Sequence, residues 1–157
     1  MKYLYAPWRD RYFSKKTKRC IFCKPDRTTK KLIFLKGKYS FCLVNLYPYT
    51  TAHVMVAPFR HISKVEQLKK EEILEIWDFA KKISQAFYKL FKCQGINFGI
   101  NQGSVSGAGF EKHIHLHIVA RWKGDVNFMT SVSRTRVVSS DPVKVAEQLK
   151  KYFKNKK

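Results

Sequence analysis

One seven-residue segment, His113-Ile114-His115-Leu116-His117-Ile118-Val119, constrains this chain more than any other. Side chains alternate across a β-strand, so the pattern predicts an extended segment over 112–122. Ile114, Leu116 and Ile118 would face a core, and three imidazoles would line the opposite face at a spacing of about 7 Å. Histidines placed beside such apolar neighbours are costly to desolvate unless they carry polar work. Two chemistries suit the row: a metal site, or phosphate chemistry with imidazole as nucleophile or acid/base. Alternate residues of one strand supply two converging metal ligands more easily than three. Just upstream, Gly103, Ser104, Ser106, Gly107 and Gly109 form a loop whose main-chain N–H groups and hydroxyls suit an anion. The residues by themselves therefore favour phosphate.

Periodicity elsewhere predicts an α+β fold in a single domain over 1–157. Residues 1–31, aromatic and then basic, read as an irregular arm. Apolar strands at 31–36 and 39–45 would pair through Gly37-Lys38 as a hairpin, with a third strand at 53–57 continuing a meander. Ser63-Lys64-Val65-Glu66 has the form of a capping box. Over 69–92, Ile73, Ile76, Trp77, Ala80, Ile83, Phe87, Leu90 and Phe91 recur at helical steps opposite a lysine-rich face, the core stripe of one long helix that Gly95 would end. A strand follows at 96–101. After Pro142 a short helix is expected within a basic extension, 131–157. Strands in hairpins with helices set apart from them argue for α+β over an alternating parallel fold.

The formal charge is +21, from 32 basic and 11 acidic residues. Such a surplus attracts polyanions, whether nucleic acid, an anionic membrane surface or a phosphate-rich substrate. The basic residues gather in no recognisable DNA-binding motif, which disfavours nucleic acid as the main partner. No apolar run approaches the roughly 18 residues of a membrane span, and residues 1–10 lack the apolar region of a signal peptide. A cytoplasmic protein with no membrane partner is the expectation. Cys20 and Cys23, in Cys-Ile-Phe-Cys, suggest metal or redox chemistry there more than a structural disulfide. Cys42 and Cys93 read as small buried hydrophobes.

The segment from His113 to Val119 resembles the signature of the histidine triad superfamily of nucleotide hydrolases and transferases. Other segments support the likeness in the right order: Val44-Asn45, Pro48, His53-Val-Met-Val-Ala-Pro58, and Asn101-Gln-Gly103 with its glycine loop. Leu4-Tyr-Ala-Pro-Trp-Arg9, Cys20-Ile-Phe-Cys23 and Arg121-Trp-Lys-Gly-Asp125-Val-Asn127-Phe-Met129 look like the bacterial branch that includes diadenosine tetraphosphate phosphorylases. Two positions depart from it, Ala52 before His53 and Thr130 after Met129.

The resemblance implies that His115 attacks the α-phosphorus of a nucleotide and carries the nucleotidyl group, with His117 and His53 on the phosphate oxygens and the leaving group. Asn45 would hold the ribose, and Asn101 and Gly107 the transferring phosphate. The carbonyl of His113 would orient His115. The family also implies a structural Zn2+ on Cys20, Cys23, His61 and His113, pinning the arm to the sheet, and a homodimer. The substrate class would be dinucleoside polyphosphates or nucleotide conjugates. Competing readings are a nucleic-acid-associated deadenylating enzyme and a nucleotide-binding regulator with little turnover.

Overall fold

The computed structural model describes residues 20–107, 109–125 and 140–155. The first nineteen residues, with the motif at 4–9, and the Asn127-Phe-Met129 stretch lie outside the described residues, as do 131–139 of the basic extension.

Within the expected arm the chain is helical: α1 spans Arg27–Leu32. The β-branched pair Thr28-Thr29 disfavours a helix locally. What forms it is Asp26, whose side chain accepts from the N–H of Thr29 (2.7 Å), together with burial of Thr29 and Leu32. The first strand, β1, is accordingly Ile33–Lys36 and shorter than 31–36. It pairs with β2, Ser40–Val44, across the Gly37-Lys38 turn. The carboxylate of Glu75 caps that turn, accepting from the N–H of Lys38 (2.8 Å) and Tyr39 (2.9 Å) and the hydroxyl of Ser40 (2.6 Å). A Cβ at residue 37 would collide with this carboxylate, so a side chain there would push Glu75 out of its cap.

Strand β3 runs His53–Pro58. The capping-box pattern beyond it does not open the long helix. A turn of 3-10 helix, Val65–Gln67, intervenes, and Gln67 rather than Glu66 reaches back to the N–H groups of Ser63 (3.1 Å) and Lys64 (3.0 Å). The long helix α2, Lys70–Phe91, starts where Glu72 accepts from the N–H of Lys69 (2.8 Å). Glu72 is buried yet stays ionised, because two bonds from Arg60 (2.7 and 2.8 Å) hold its carboxyl below the usual range. The helix stops at Lys92 in the left-handed region (φ 51°), whereas Gly95 already opens β4, Gly95–Ile100. Strand β5 is Leu116–Arg121, and α3 is Pro142–Lys154, capped by Asp141.

All strand pairs are antiparallel, in the order β1-β2-β3-β5-β4. The meander therefore ends at β3. Helix α2 carries the chain to the far edge, and β5 returns into the slot between β3 and β4. One face of the sheet, with Val54, Val56, Leu116, Ile118 and Ala120, is covered by Ile76, Ile83 and Phe87 of α2 and Val145 and Leu149 of α3. On the other face, Phe41, Leu43, Met55 and Ala57 pack with Phe22 and Phe110. By alternation His53 and His117 share this second face, away from the helices.

Candidate active site and metal centre

Only His117 of the three clustered histidines stands in a strand. His113 and His115 precede β5, so the expected single row over 112–122 is broken. The reason lies in the partner strand. β3 ends at Pro58, which has no N–H to continue a ladder, and Ile114 instead donates its N–H to the carbonyl of Ile62 (2.7 Å). His113 swings away to bond Pro58 O through Nε2 (2.9 Å), while the rings of His115 and His117 close to 4.6 Å, nearly edge to face.

Insertion of β5 beside β3 aligns Met55 with His117 and His53 with Val119. This brings His53 to His117, with Nε2 and Nδ1 2.9 Å apart. Main-chain donors then decide the tautomers. Tyr47 N–H donates to Asn45 Oδ1 (3.0 Å), which makes Asn45 Nδ2 a donor; it points at His53 Nδ1 (3.2 Å). Tyr49 N–H also donates to His53 Nδ1 (3.1 Å). With that nitrogen an acceptor, the proton of neutral His53 sits on Nε2 and is donated to His117 Nδ1. Neutral His117 then carries its proton on Nε2. That atom is buried and, among the described residues, is the one buried side-chain nitrogen or oxygen with no hydrogen-bond partner. An N–H left so is a costly feature unless something binds it.

His115 is polarised the opposite way. Its Nδ1–H donates to the carbonyl of His113 (2.8 Å), which leaves a lone pair on Nε2. Burial lowers the pKa of this ring, so it is an uncharged base at neutral pH. Burial, reinforced by the neighbouring rings, brings His53 down to about 3 and His117 to about 4. The site thus sets a lone pair and an N–H side by side on neutral imidazoles. Space adjoins them at Gly99, which pairs with His117 across the β4–β5 ladder and would admit a Cβ without contact.

Asn101 and Gly107, expected on the phosphate, lie in the loop that leaves β4. Ile100 pairs with Leu116, which places Asn101 at the level of His115. Gly107 takes a positive φ (83°), a conformation that glycine adopts freely. Gln102 ties this loop down by accepting from the N–H of Val65 (2.7 Å). An open cleft of about 600 Å³ beside the loop is lined by His61, Ser63, Lys64, Gln102 and Lys112, and it borders the second cluster rather than the rings of His53, His115 and His117.

That second cluster is Cys20, Cys23, His61 and His113, whose donor atoms all lie within 4.8 Å of one another. Cys20 Sγ is 3.4 Å from His113 Nδ1, and Cys23 Sγ is 3.2 Å from His61 Nδ1 and 3.5 Å from His113 Nδ1. Metal bonds of about 2.0–2.3 Å in a tetrahedron put donors about 3.5 Å apart, so four protein ligands can hold one ion. His113 is prepared for this, since its Nε2–H is taken by Pro58 O and Nδ1 faces the sulfurs. Burial and the adjacent Cys20 push the Cys23 thiol up to about 11, so this thiol needs a cation to become thiolate at neutral pH.

The description "HIT domain" matches residues 26–124. The chain belongs to the HIT family. Among curated HIT relatives, the AP-4-A phosphorylase of Mycobacterium tuberculosis is 36% identical over 107 residues, covering 68% of this chain and 55% of that protein. The bis(5'-adenosyl)-triphosphatase of Dictyostelium discoideum is 41% identical over 93 residues, 59% of this chain and 62% of that one. The chain thus spans little more than half the length of the relatives it matches. Its fold follows that of a Zn-bound histidine triad family protein from Mycobacterium smegmatis, with a TM-score of 0.68 at 21% identity, covering 87% of this chain and 94% of the other.

Two residues beside these rings went unmarked in the sequence: Tyr49, which reaches His53 through its main-chain N–H, and Phe22, which packs between two imidazoles. For neither does a local sequence signal exist.

Proposed function

We propose that this chain cleaves the α-phosphate linkage of dinucleoside polyphosphates or nucleotide conjugates. His115 Nε2 attacks the α-phosphorus, a P–N bond forms, and the bond from phosphorus to the bridging oxygen breaks. His117 Nε2–H lies toward the oxygens that gain charge and protonates the leaving group, with His53 holding His117 in the donating tautomer. Water or inorganic phosphate then takes the nucleotidyl group and frees His115. One observation carries this reading: the lone pair of His115 stands next to an N–H of His117 that has no partner among the described residues. The substrate class comes from the relatives, a phosphorylase and a triphosphatase by name. Asn45, Asn101 and Gly107 are assigned to the ribose and phosphate on the same footing.

The test is an activity panel of diadenosine tri- and tetraphosphate and adenylyl conjugates, with and without inorganic phosphate. Products are read by mass, and peptide mapping after alkaline quench seeks an adenylyl group on His115. Cleavage without any adduct during single turnover, and with full rate retained in His115→Ala, sinks the proposal.

The metal assigned to the second cluster is Zn2+, because two sulfurs and two imidazoles in a closed tetrahedron suit that ion. With four protein donors it keeps no open position and serves structure, tying the segment at Cys20 to the loops at His61 and His113. Thiols used in this way call for a reducing compartment, in keeping with the cytoplasm; among the described residues no helix is long and apolar enough to cross a membrane. Elemental analysis of protein purified without chelator should find one zinc per chain.

A second copy of the chain fits the outer edge of β4. Among the described residues that edge has no strand partner, and Phe98 and Ile100 lie exposed beside Trp77 of α2, whose ring is 6.2 Å from that of Phe98. Light scattering should give twice the chain mass, reduced to the monomer by Phe98→Asp. Polyanion binding is favoured by a different surface, where Lys150 Nζ bonds Lys31 O and joins α1 to α3 among exposed Arg27, Lys30, Lys151 and Lys154. It lies on the helix-covered face, opposite the histidines, so nucleic acid held there would not present a backbone to His115.

A further inference from the structure

Phe22 lies inside the Cys20–Cys23 loop, yet it is only 4% exposed. Its ring sits 4.9 Å from that of His113 and 4.8 Å from that of His115, inclined by 38° and 34°. Phe110 closes one side of it edge-on at 5.9 Å, and Phe41 lies at 6.4 Å. A single rigid side chain thus touches a metal-donor imidazole and the imidazole with the free lone pair. A second link joins the same two residues, the bond from His115 Nδ1–H to the His113 carbonyl. The two links restrain different motions. The hydrogen bond decides which nitrogen bears the proton, but it lets the ring tilt about the N–H···O direction. A phenyl face against the imidazole removes that tilt, because close-packed aromatic contacts tolerate little displacement.

We propose that Phe22 is a positioning residue for His115, and that the Cys20/Cys23 loop acts as a clasp whose closure on a metal ion presses this ring against the nucleophile. The role rests on the assignment of His115 above. It extends that assignment by coupling occupancy of the metal site to the aim of the attacking nitrogen. Neither Cys20 nor Cys23 touches the nucleophile, so the coupling runs through Phe22 and the His113 carbonyl.

The experiment compares Phe22→Ala and Phe22→Leu in the protein as purified. Phe34→Ala is the control, a comparable cavity in the cluster on the helix-covered face. Phe22→Ala should lower kcat by about 10- to 100-fold, as expected for a small misplacement of a reacting group, with KM changed much less. Phe22→Leu, which refills most of the volume, should recover the larger part of that loss. Zinc per chain should stay near the wild-type value in both. The ring-proton NMR signals of His115 should move in Phe22→Ala. In the wild type they should move again when a chelator strips the metal, and that second displacement should shrink in Phe22→Ala.

Two results overturn the proposal. One is a set of His115 signals in Phe22→Ala that coincides with the wild type. The other is a fall in kcat no larger than that of Phe34→Ala, which would reduce Phe22 to a packing residue. Full turnover in His115→Ala would instead remove the nucleophile assignment, while the NMR comparison still reports whether Phe22 and the metal aim that ring.

Discussion

The two histidine clusters of this chain use one residue type in opposite ways. In the metal cluster the second nitrogen of His113 is spent on Pro58 O, so its remaining lone pair is aimed at the sulfurs and the donor set closes on itself. In the cluster proposed as catalytic a relay of donors begins at Tyr49 N–H and Asn45 and ends on His117 Nε2, which has no partner among the described residues. One cluster is satisfied from within and fit to hold structure. The other leaves one N–H over, which the proposed function gives to an anionic substrate. His113 belongs to the first cluster by its side chain and serves the second through its main-chain carbonyl. A reader of the sequence meets three alternating histidines; what separates them is the main-chain group to which each ring bonds.

The largest expected effect isolates the catalytic cluster. His115→Ala should lower turnover by on the order of 10³-fold or more, the scale of losing a covalent nucleophile. Bound metal should be unchanged, because His115 donates nothing to it. Joint loss of metal and turnover would merge the two clusters into one. Next comes the reverse variant. Cys23→Ser should abolish stoichiometric metal binding in elemental analysis, yet reduce turnover by only about 10- to 100-fold, the usual scale for a group acting through its neighbours. Equal loss from both variants would break the comparison.

Acid should distinguish the clusters through stability. Burial brings His53 to about 3 and His117 to about 4 in the folded chain, against an ordinary value near 6.5. Below that ordinary value the unfolded chain binds protons that the folded one refuses, so the stabilising contribution is complete above about pH 6.5. It is lost progressively as the pH falls below about 6.5 and is gone once the pH has passed through about 4 and about 3. Urea midpoints of metal-stripped protein between pH 7 and 4.5 should therefore drop, and drop less steeply in His53→Gln. Equal slopes would mean that these rings are not neutral in the fold.

Alternation of Leu116 and Ile118 and the centre of the α2 stripe were legible because a regular element repeats its environment at a fixed step, whereas Ile73, Trp77 and Leu90, read as part of that core stripe, lie exposed on the helix. The four metal donors were legible as a set, and the structure brings Cys20, Cys23, His61 and His113 together as expected. Helix α1 was not, since Thr28-Thr29 argue against it and only Asp26 and the burial of Leu32 argue for it. The start of β5 was misjudged because Pro58, more than fifty residues earlier, ends the ladder from the partner side. Tyr49 and Phe22 act through one N–H and one ring face, and such contacts exist only after the chain has closed.

Asn45 gives the smallest effect and the sharpest division of roles. Its Nδ2 is one of two donors on His53 Nδ1, and Tyr49 N–H remains when it is removed. If that bond is its whole contribution, Asn45→Ala loses about 1 kcal/mol, roughly a fivefold fall in kcat, with KM little changed. If Asn45 turns to the ribose once substrate is bound, the loss appears as a raised KM instead, because uniform binding is what has been removed. Steady-state kinetics on one dinucleoside polyphosphate separates the cases. A fall confined to kcat would place Asn45 with Tyr49 as a setter of the His53 tautomer. A rise confined to KM would leave Tyr49 N–H as the donor that fixes the relay, with the N–H of His117 still free for the proposed phosphate.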